Sequence, residues 1–224
     1  MFDSNENKLL RKALALYGGE RVLTRVLDGG EAALVPEARN LELTMLFVDV
    51  ASVSAVDGGL DPVALGNFSV DYCEAITQAV SRCNGTFNTF VGDAASAWWG
   101  EDSEGNHAIN ASTCARELLS AIEELNAKSL AKGYPQIRIK VGVHSGLVSL
   151  GNFGSSSRLC YTVMGDAVNL ASRLCMLAGT GALSPILISG ATKERLDDGF
   201  SLVLHDAVRV KGKDDLVEIY GIAF

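Results

Sequence analysis

The sequence has no long hydrophobic run and few basic residues, and each absence excludes a class of protein. In its 224 residues no apolar stretch reaches the roughly 18–20 residues of a membrane-spanning helix, so no membrane partner is expected. Nineteen Lys and Arg stand against 27 Asp and Glu, and the net charge of −8 argues against a nucleic-acid partner. The start is polar and lacks the apolar core of a signal peptide, so the expected location is the cytoplasm.

Cysteine is also scarce, and its spacing is uninformative for metal binding. The five cysteines are odd in number, and no two of them form a CxxC pair. Most fall inside apolar or helical runs, which is typical of reduced, packed thiols in a cytosolic protein. A chain of this length needs no disulfide, because it buries roughly 70–75% of the surface that its unfolded form exposes.

The first forty residues differ in pattern from the remainder. Lys8–Tyr17 and Glu20–Leu27 have helical apolar periodicity, and each run is followed by a glycine pair. Helices this short cannot bury an apolar face alone. Residues 1–40 are therefore predicted to be a helical element that packs on the main domain, residues 41–224, or on a second copy of it.

The main domain is predicted to begin with a buried strand and a helix. Leu43–Val50 is a near-continuous apolar run, as in a strand that is covered on both faces. A helical stripe follows from Asp61-Pro62. Thr86–Val91 and Ala94–Trp99 then flank a Gly-Asp turn and are predicted to form a hairpin.

The second half of the pattern completes the fold class. Glu104–Lys132 is predicted to be a long helix, and Ile137–His144 and Leu147–Phe153 to be two strands joined at Ser145-Gly146. The order strand, helix, hairpin, helix, strand predicts an α+β fold, a βαββαβ ferredoxin-like sandwich.

Two aspartates lie where predicted strands end. Asp49 is near the end of the apolar strand, and Asp93 is in the hairpin turn. If these strands are neighbours, both carboxylates lie at one edge of the sheet, where they can hold Mg²⁺ or Mn²⁺ and leave positions for phosphate oxygens. A Gly-Asp pair is also an ordinary hairpin turn. The charge of Asp49 is harder to explain without a partner, because a charge beside an apolar strand is costly.

A second polar group lies on the predicted helix Asp166–Ala178. Asn169 and Arg173 are four residues apart and therefore share a face. If this face lines a cleft, it offers an amide for a sugar and a planar cation for a phosphate. An ordinary solvated helix face is the alternative. Val210–Lys213 is a short basic turn that carries little information by itself.

Four segments together resemble the class III nucleotidyl cyclases. They are, in the family's order, FVDVASVS, GTFNTFVGDAASAWWG, CYTVMGDAVNLASRL and VKGK, and the resemblance covers residues 41–224. It implies that a nucleoside triphosphate is converted to its 3′,5′-cyclic monophosphate and pyrophosphate. It also implies a head-to-tail homodimer with active sites at the interface, supported by the helices of residues 1–40.

The resemblance implies a role for each matching residue. Asp49 and Asp93 would bind two divalent cations, Mg²⁺ or Mn²⁺, and the backbone carbonyl of Val50 would be a further ligand. Asn169 would orient the ribose, and Arg173 would stabilise charge on the phosphate under attack. The ions would activate the ribose 3′-hydroxyl and neutralise the leaving pyrophosphate.

The base and the outer phosphates involve three further positions. Lys211 would hold the outer phosphates. Thr89 stands where adenylate cyclases carry lysine and guanylate cyclases carry glutamate, and its partner position Thr162 matches a threonine of some bacterial adenylate cyclases. The alternation of strand residues predicts that Asn88 faces away from the base. Two neutral hydroxyls disfavour guanine, remove the charged anchor for adenine and favour a pyrimidine, UTP or CTP.

The sequence also differs from the family's motif beside Asp49, the first of the two predicted metal ligands. The family's DxxGFT begins here as DVASVS from Asp49, which changes the pocket wall and keeps the acid. A compact cyclase with a short helical lead resembles the pyrimidine cyclases of bacterial anti-phage (Pycsar) systems.

Three alternative functions are considered. The first is an adenylate cyclase that uses the threonine pair. The second is an inactive nucleotide-binding regulatory module, which the retained metal acids and the Asn169/Arg173 pair argue against. The third is an RRM-type RNA binder, which would need a basic surface and exposed paired aromatics, whereas Trp98-Trp99 are consecutive.

Overall fold

The structure is a computed structural model that describes residues 4–54, 61–102, 105–209 and 216–223. These residues form two compact units. Unit 1 takes in the chain up to Leu41 together with Leu147–Gly165, and unit 2 takes in Glu42–Gly146 and the chain from Asp166 onward.

The described helices and strands follow the predicted order, βαββαβ from the first strand to the fourth. They are α1 (Ser4–Gly18), α2 (Glu20–Gly29), β1 (Glu37–Val53), α3 (Pro62–Arg82), β2 (Thr86–Val91), β3 (Ala94–Trp99), α4 (His107–Ala131), β4 (Ile137–Ser155), β5 (Arg158–Met164), α5 (Asp166–Leu177), β6 (Ile186–Ser189), α6 (Gly190–Lys193), β7 (Leu202–Arg209) and β8 (Leu216–Ile222). None of these helices combines the length and the apolar character needed to span a membrane.

The strands of the described residues form one mixed sheet. Seven of them lie in the order β2-β3-β1-β4-β6-β8-β7, and β5 pairs with β4 outside this row. β3 runs antiparallel to β1, and β6 runs parallel to β4. The four consecutive residues 43–46 of β1 are all buried, so this strand is covered on both faces there, which explains its near-continuous apolar run.

The core of unit 2 lies between this sheet and helices α3 and α4. Ile76 of α3, Leu118 of α4 and Leu46 of β1 belong to one cluster of buried side chains. Trp98 and Trp99 are 1% and 2% exposed, and the indole Nε1 of Trp99 donates to the carbonyl of Cys83 at 2.8 Å. Neither ring offers the exposed stacking surface that an RNA-binding sheet needs.

The prediction of two strands around Ser145-Gly146 was wrong, because β4 is continuous from Ile137 to Ser155. The hydroxyl of Ser145 is buried and lies 2.7 Å from the hydroxyl of Thr44 and 3.2 Å from that of Thr192. These hydrogen bonds satisfy a polar side chain inside the sheet, so no turn is needed there.

The prediction for the long helix was right in type and too early in its start. α4 begins at His107, because the side chain of Asn106 accepts hydrogen bonds from the backbone of Ala108 and Ile109 and caps the helix.

Unit 1 combines the first helices with the outer half of β4 and with β5. The side-chain amide of Asn152 on β4 donates to the carbonyls of Ala33 and Val35, at 2.8 and 3.0 Å. A Cβ atom on Gly151 would lie 1.9 Å from the carbonyl oxygen of Glu37, so the two backbones approach closely at this point. The segment that follows the first helices is thus held against the hairpin β4–β5.

Candidate functional site

Asp49 lies on β1 just beyond the apolar part of that strand. Its carboxylate is partly buried and forms an ion pair with Lys140 of β4, with Asp49 Oδ2 and Lys140 Nζ 3.0 Å apart. A carboxylate that is mostly removed from water needs a positive partner, and Lys140 of β4 supplies one. The position beside Asp49 is therefore one that a cation occupies.

Asp93 lies in the turn between β2 and β3. Gly92 before it has a φ of +65°, which a residue with a side chain rarely adopts. The hydroxyl of Tyr72, on α3, donates to the backbone carbonyl of Asp93 at 2.7 Å. This bond ties the turn to the core and leaves the carboxylate of Asp93 exposed.

The sheet register brings Asp49 and Asp93 to the same end of adjacent strands. Val48 of β1 pairs with Ala95 of β3. Asp49 comes directly after Val48, and Asp93 comes two residues before Ala95. Burial raises the pKa of Tyr72 above its ordinary value, and the negative charges of Asp93 and Asp49 raise it further. One hydroxyl thus lies within electrostatic reach of both carboxylates.

The donor chemistry at this edge fits a hard divalent cation. Asp49 and Asp93 offer oxygen ligands, and Lys140 already marks a cation position on Asp49. Among the described residues, no three His, Cys, Asp or Glu side chains are close enough to hold a metal. Backbone and substrate oxygens would therefore have to complete the coordination of any bound ion.

Helix α5 packs directly on β4 next to this edge. A Cβ atom on Gly142 would lie 2.1 Å from the backbone nitrogen of Cys175 and 2.4 Å from the carbonyl of Ala171, so only glycine allows the approach. The thiol of Cys175 donates to the carbonyl of Lys140 at 3.4 Å. Burial raises the pKa of this thiol to about 12, and the charge of Asp49 contributes in the same direction.

Asn169 and Arg173 lie on the other side of α5. Arg173 is two residues from both Ala171 and Cys175, or about 200° around the helix from the face that contacts β4. Asn169 is exposed and Arg173 is half exposed, and in the described part of the chain Arg173 forms no ion pair. The predicted shared face is therefore present, but a single chain does not bring Arg173 to the ion pair of Asp49.

The strand that carries Thr89 contains a β-bulge. Phe87 pairs with Ala97 and Thr89 pairs with Ser96, so Asn88 is the additional residue. The amide of Asn88 donates to the hydroxyl of Ser96 at 3.0 Å. The expectation that Asn88 points away from Thr89 was wrong, because a bulge interrupts strict alternation and Asn88 contacts the cross-strand partner of Thr89. Thr89 itself is exposed, and its hydroxyl donates to the carbonyl of Phe90 at 3.2 Å.

Three further predicted positions remain predictions. Thr162 lies on β5, opposite Gly151 of β4, and belongs to unit 1, whereas Thr89 belongs to unit 2. Val50 is half buried at the end of β1. Lys211 lies outside the described residues.

Two residues of this site were missed by the sequence interpretation. Lys140 was read as an ordinary residue of a strand, and its partner Asp49 is far away in sequence. Tyr72 lies in the helical stripe that follows Asp61-Pro62, and no sequence pattern marks its hydroxyl as the group that holds the turn of Asp93. The available signal was weak, because Lys140 alternates with apolar residues at the start of β4 just as Arg138 does.

Comparison with known proteins gives a consistent result. The family described as "Adenylate and Guanylate cyclase catalytic domain" matches residues 35–223. The chain is 31% identical over 199 residues to an adenylate cyclase of Anabaena cylindrica, covering 87% of this chain and 39% of that protein. It is 30% identical over 209 residues to adenylate cyclase 1 of Rhizobium meliloti (strain 1021), covering 93% and 31%.

A solved structure agrees with the fold. The adenylyl cyclase CyaB from P. aeruginosa superimposes with a TM-score of 0.76 at 27% identity, covering 84% of this chain and 96% of that one. The α+β fold predicted from the sequence is thereby confirmed. The chain spans only about a third of the two curated relatives, 39% and 31% of their lengths.

Proposed function

Because the chain belongs to the family of adenylate and guanylate cyclase catalytic domains, we propose that it converts a nucleoside triphosphate to its 3′,5′-cyclic monophosphate and pyrophosphate. The observation that carries the proposal is the position of Asp49 and Asp93 at the same end of adjacent strands. The ammonium group of Lys140 is already paired with the carboxylate of Asp49. The two carboxylates are the donor set that a nucleotide-bound Mg²⁺ or Mn²⁺ requires.

Asp49 and Asp93 would hold two divalent ions, and the carbonyl of Val50 would be a further ligand. When bound, the ions would lower the pKa of the ribose 3′-hydroxyl and neutralise charge on the triphosphate. Tyr72 keeps the turn of Asp93 in place through its hydrogen bond to the backbone. An ion on Asp49 would displace Lys140, whose positive charge would then be available to the phosphates.

The reaction needs positioning and charge stabilisation. The 3′-oxygen attacks the α-phosphorus, the bond from that phosphorus to the β-phosphate bridge breaks, and the hydroxyl proton passes to solvent. Asn169 would orient the ribose, Arg173 would stabilise the charge on the transferring phosphorus, and Lys211 would hold the outer phosphates. No side chain is assigned as a general base.

We propose that the site is completed by a second copy of the chain. Arg173 lies on the face of α5 opposite to the one that contacts β4, the strand that carries Lys140. An arginine that is half buried without an ion pair among the described residues fits a role toward a ligand or a partner. In this arrangement, residues 1–40 support the homodimer, residues 41–224 form the catalytic domain, and the dimer works in the cytoplasm.

ATP is the first candidate substrate. The two curated relatives are named adenylate cyclases, although the chain covers less than two fifths of either. Thr89 and Thr162 would then contact adenine through hydroxyl groups without a charged anchor.

A pyrimidine triphosphate is the second candidate, and the β-bulge favours it. At the bulge Thr89 pairs with Ser96, and the carboxamide of the neighbouring Asn88 donates to the hydroxyl of the same Ser96. An amide and a hydroxyl together donate to and accept from the polar edge of uracil or cytosine. A pyrimidine product would fit the anti-phage signalling role of the Pycsar cyclases.

The test is product identification by mass spectrometry after incubation with each of ATP, GTP, UTP and CTP and with Mn²⁺. The expected result is one 3′,5′-cyclic nucleotide and stoichiometric pyrophosphate. Asp49→Asn and Asp93→Asn should lower the rate by at least about 10²-fold, while Asp71→Asn, on the outer surface of α3, should not. A folded protein that converts none of the four would instead be the inactive nucleotide-binding module.

A further inference from the structure

Unit 1 contains a small cavity that the proposed cyclase reaction does not use. It has a volume of about 110 Å³ and lies between helix α2, the start of β1 and the hairpin β4–β5. Its lining residues are Arg25, Glu37, Ala38, Arg39, Leu150, Gly151 and Tyr161.

Arg25 enters this cavity with most of its hydrogen-bonding capacity unused. Its guanidinium carbon lies 4.5 Å from the centroid of the Tyr161 ring, a cation–π contact. Its Nε atom is fully buried and has no hydrogen-bond partner, and among the described residues the guanidinium forms no ion pair. A buried donor without an acceptor is costly, and more so when it is charged, so an acceptor is missing.

The walls of the cavity are fixed by close backbone packing. The Cβ position of Gly151 would overlap the carbonyl oxygen of Glu37 at 1.9 Å and the Cα of Ala38 at 2.6 Å. Asn152 next to it donates two hydrogen bonds to the segment before β1. These contacts hold the backbone walls of the cavity in place beside Arg25, whose Nε has no hydrogen-bond partner.

We propose that this cavity binds one small oxyanion, of the size of inorganic phosphate, bicarbonate or a short carboxylate. Its volume exceeds the roughly 10–15 Å³ that one water needs. It is well below the roughly 300 Å³ of the smallest drug-sized pockets, so a nucleoside triphosphate does not fit. Arg25 supplies a planar donor for oxygen pairs, and Arg39 adds a second positive charge.

Glu37 opposes this binding, because its exposed carboxylate lines the same cavity. It repels an anion and can compete with it for Arg25. The affinity is therefore expected to be in the millimolar range in the wild-type chain and higher in Glu37→Gln.

The test is equilibrium dialysis of the full chain against radiolabelled phosphate, with chloride at equal ionic strength as the competitor. One phosphate is expected per chain. Thermal-shift measurements with phosphate, bicarbonate and acetate identify which anion shape the cavity prefers. Arg25→Gln should weaken binding at least about tenfold, as expected for the loss of a charged hydrogen bond. Arg11→Gln, on the exposed surface of α1, should leave it unchanged. If Arg25→Gln does not fold, Arg25→Lys takes its place and should also weaken binding, because it keeps the charge and loses the planar pair of donors.

Three results would overturn the proposal. The first is no binding above the chloride control. The second is binding that Arg25→Gln and Arg11→Gln leave equally intact. The third is binding that is lost in Arg173→Ala and kept in Arg25→Gln, since the phosphate would then be in the proposed nucleotide site. The readout does not involve turnover, so it is independent of whether the chain is an active cyclase.

Discussion

Lys140 Nζ lies 3.0 Å from Asp49 Oδ2, and the two side chains are 20% and 27% exposed. A lysine in this position competes with a divalent cation for the same carboxylate. Metal binding to Asp49 therefore has to displace Lys140, and the free energy of this ion pair is subtracted from the free energy of metal binding.

Lys140→Met should raise the affinity of the nucleotide-free protein for Mn²⁺. A partly exposed ion pair contributes about 1 kcal/mol, so the expected gain is about fivefold. Electron paramagnetic resonance of free Mn²⁺ during a titration measures it.

Lys132→Met is the matched control for this substitution. Lys132 forms an ion pair with Asp71, also at 3.0 Å, on the outer surface of α3 and α4. The control should leave Mn²⁺ affinity unchanged. An unchanged or lower affinity in Lys140→Met would show that Lys140 does not occupy the metal position.

The sequence predicted the parts of this site that depend on local spacing. Asn169 and Arg173 share a helix face because they are four residues apart, and Asp93 lies in a turn because Gly92 precedes it. The strand β1 was predictable from its apolar run, since a strand covered on both faces has no polar alternation.

The sequence could not reveal the features that depend on pairing between distant segments. The ion pair of Lys140 joins two strands that are separated by a helix, a hairpin and a second helix. The bulge at Asn88 is a register shift between β2 and β3, and no residue type in this segment predicts it. Ser145 belongs to a continuous strand because its hydroxyl finds buried partners on other elements. The assignments of Thr162 and Lys211 stay predictions.

Mixed dimers test whether two chains share a site. If Asp93 and Arg173 act in one site from opposite chains, a heterodimer of Asp93→Asn with Arg173→Ala keeps one whole site. Dimers purified through two different tags should then show about half of the wild-type rate. Each homodimer alone should be nearly inactive.

A pairing of Asp49→Asn with Asp93→Asn is the control for the mixed dimers. Both substitutions affect the same half of the site, so each of the two sites in this heterodimer lacks one acid. No recovery is expected. Equal activities in the two kinds of heterodimer would rule out a site shared between chains.

Thr89→Lys tests how the base is read. A lysine on this exposed position of β2 should offer a charged donor to adenine and shift the ratio of kcat/KM for ATP over UTP upward by at least about tenfold. Ser81→Lys adds the same charge on the exposed surface of α3 and should not change the ratio. If the substrate ranking is the same in both variants, Thr89 does not contact the base.

His107 is expected to make folding sensitive to acid. Its Nδ1 lies 2.6 Å from the hydroxyl of Thr44. Burial lowers its pKa; the charge of Glu42 opposes this and that of Arg195 adds to it. Below the ordinary pKa of about 6.5, the unfolded chain binds a proton that the folded chain resists, so stability falls as pH falls.

His107→Asn should therefore flatten the dependence of unfolding free energy on pH between 7 and 5, while keeping a polar group near Thr44. Each unit by which the pKa is lowered corresponds to about 1.4 kcal/mol. Urea unfolding at several pH values measures the effect. At pH 8, the difference in unfolding free energy between His107→Asn and the wild type reports only the altered hydrogen bond. Parallel curves for the two proteins would show that His107 does not titrate in this range.

Gly142→Ala should destabilise the protein and disturb α5. The added Cβ would meet the backbone of Cys175 and Ala171 at 2.1 and 2.4 Å, and neither is a flexible side-chain end. The helix would have to move away from β4, at a cost of about 3 kcal/mol. Because α5 carries Asn169 and Arg173, the turnover of the remaining folded protein should fall as well.

Gly66→Ala separates this steric effect from the general effect of replacing glycine. Gly66 lies in α3, and its Cβ position has no atom within 4 Å. Alanine there should raise the unfolding free energy by up to about 1 kcal/mol, because it restricts the unfolded chain and favours the helix. Urea titration of both variants measures the change in unfolding free energy, which should be negative for Gly142→Ala and positive for Gly66→Ala. A Gly142→Ala protein as stable as the wild type would mean that α5 does not lie directly on the backbone of β4, and the placement of Arg173 on its outer face would lose its basis.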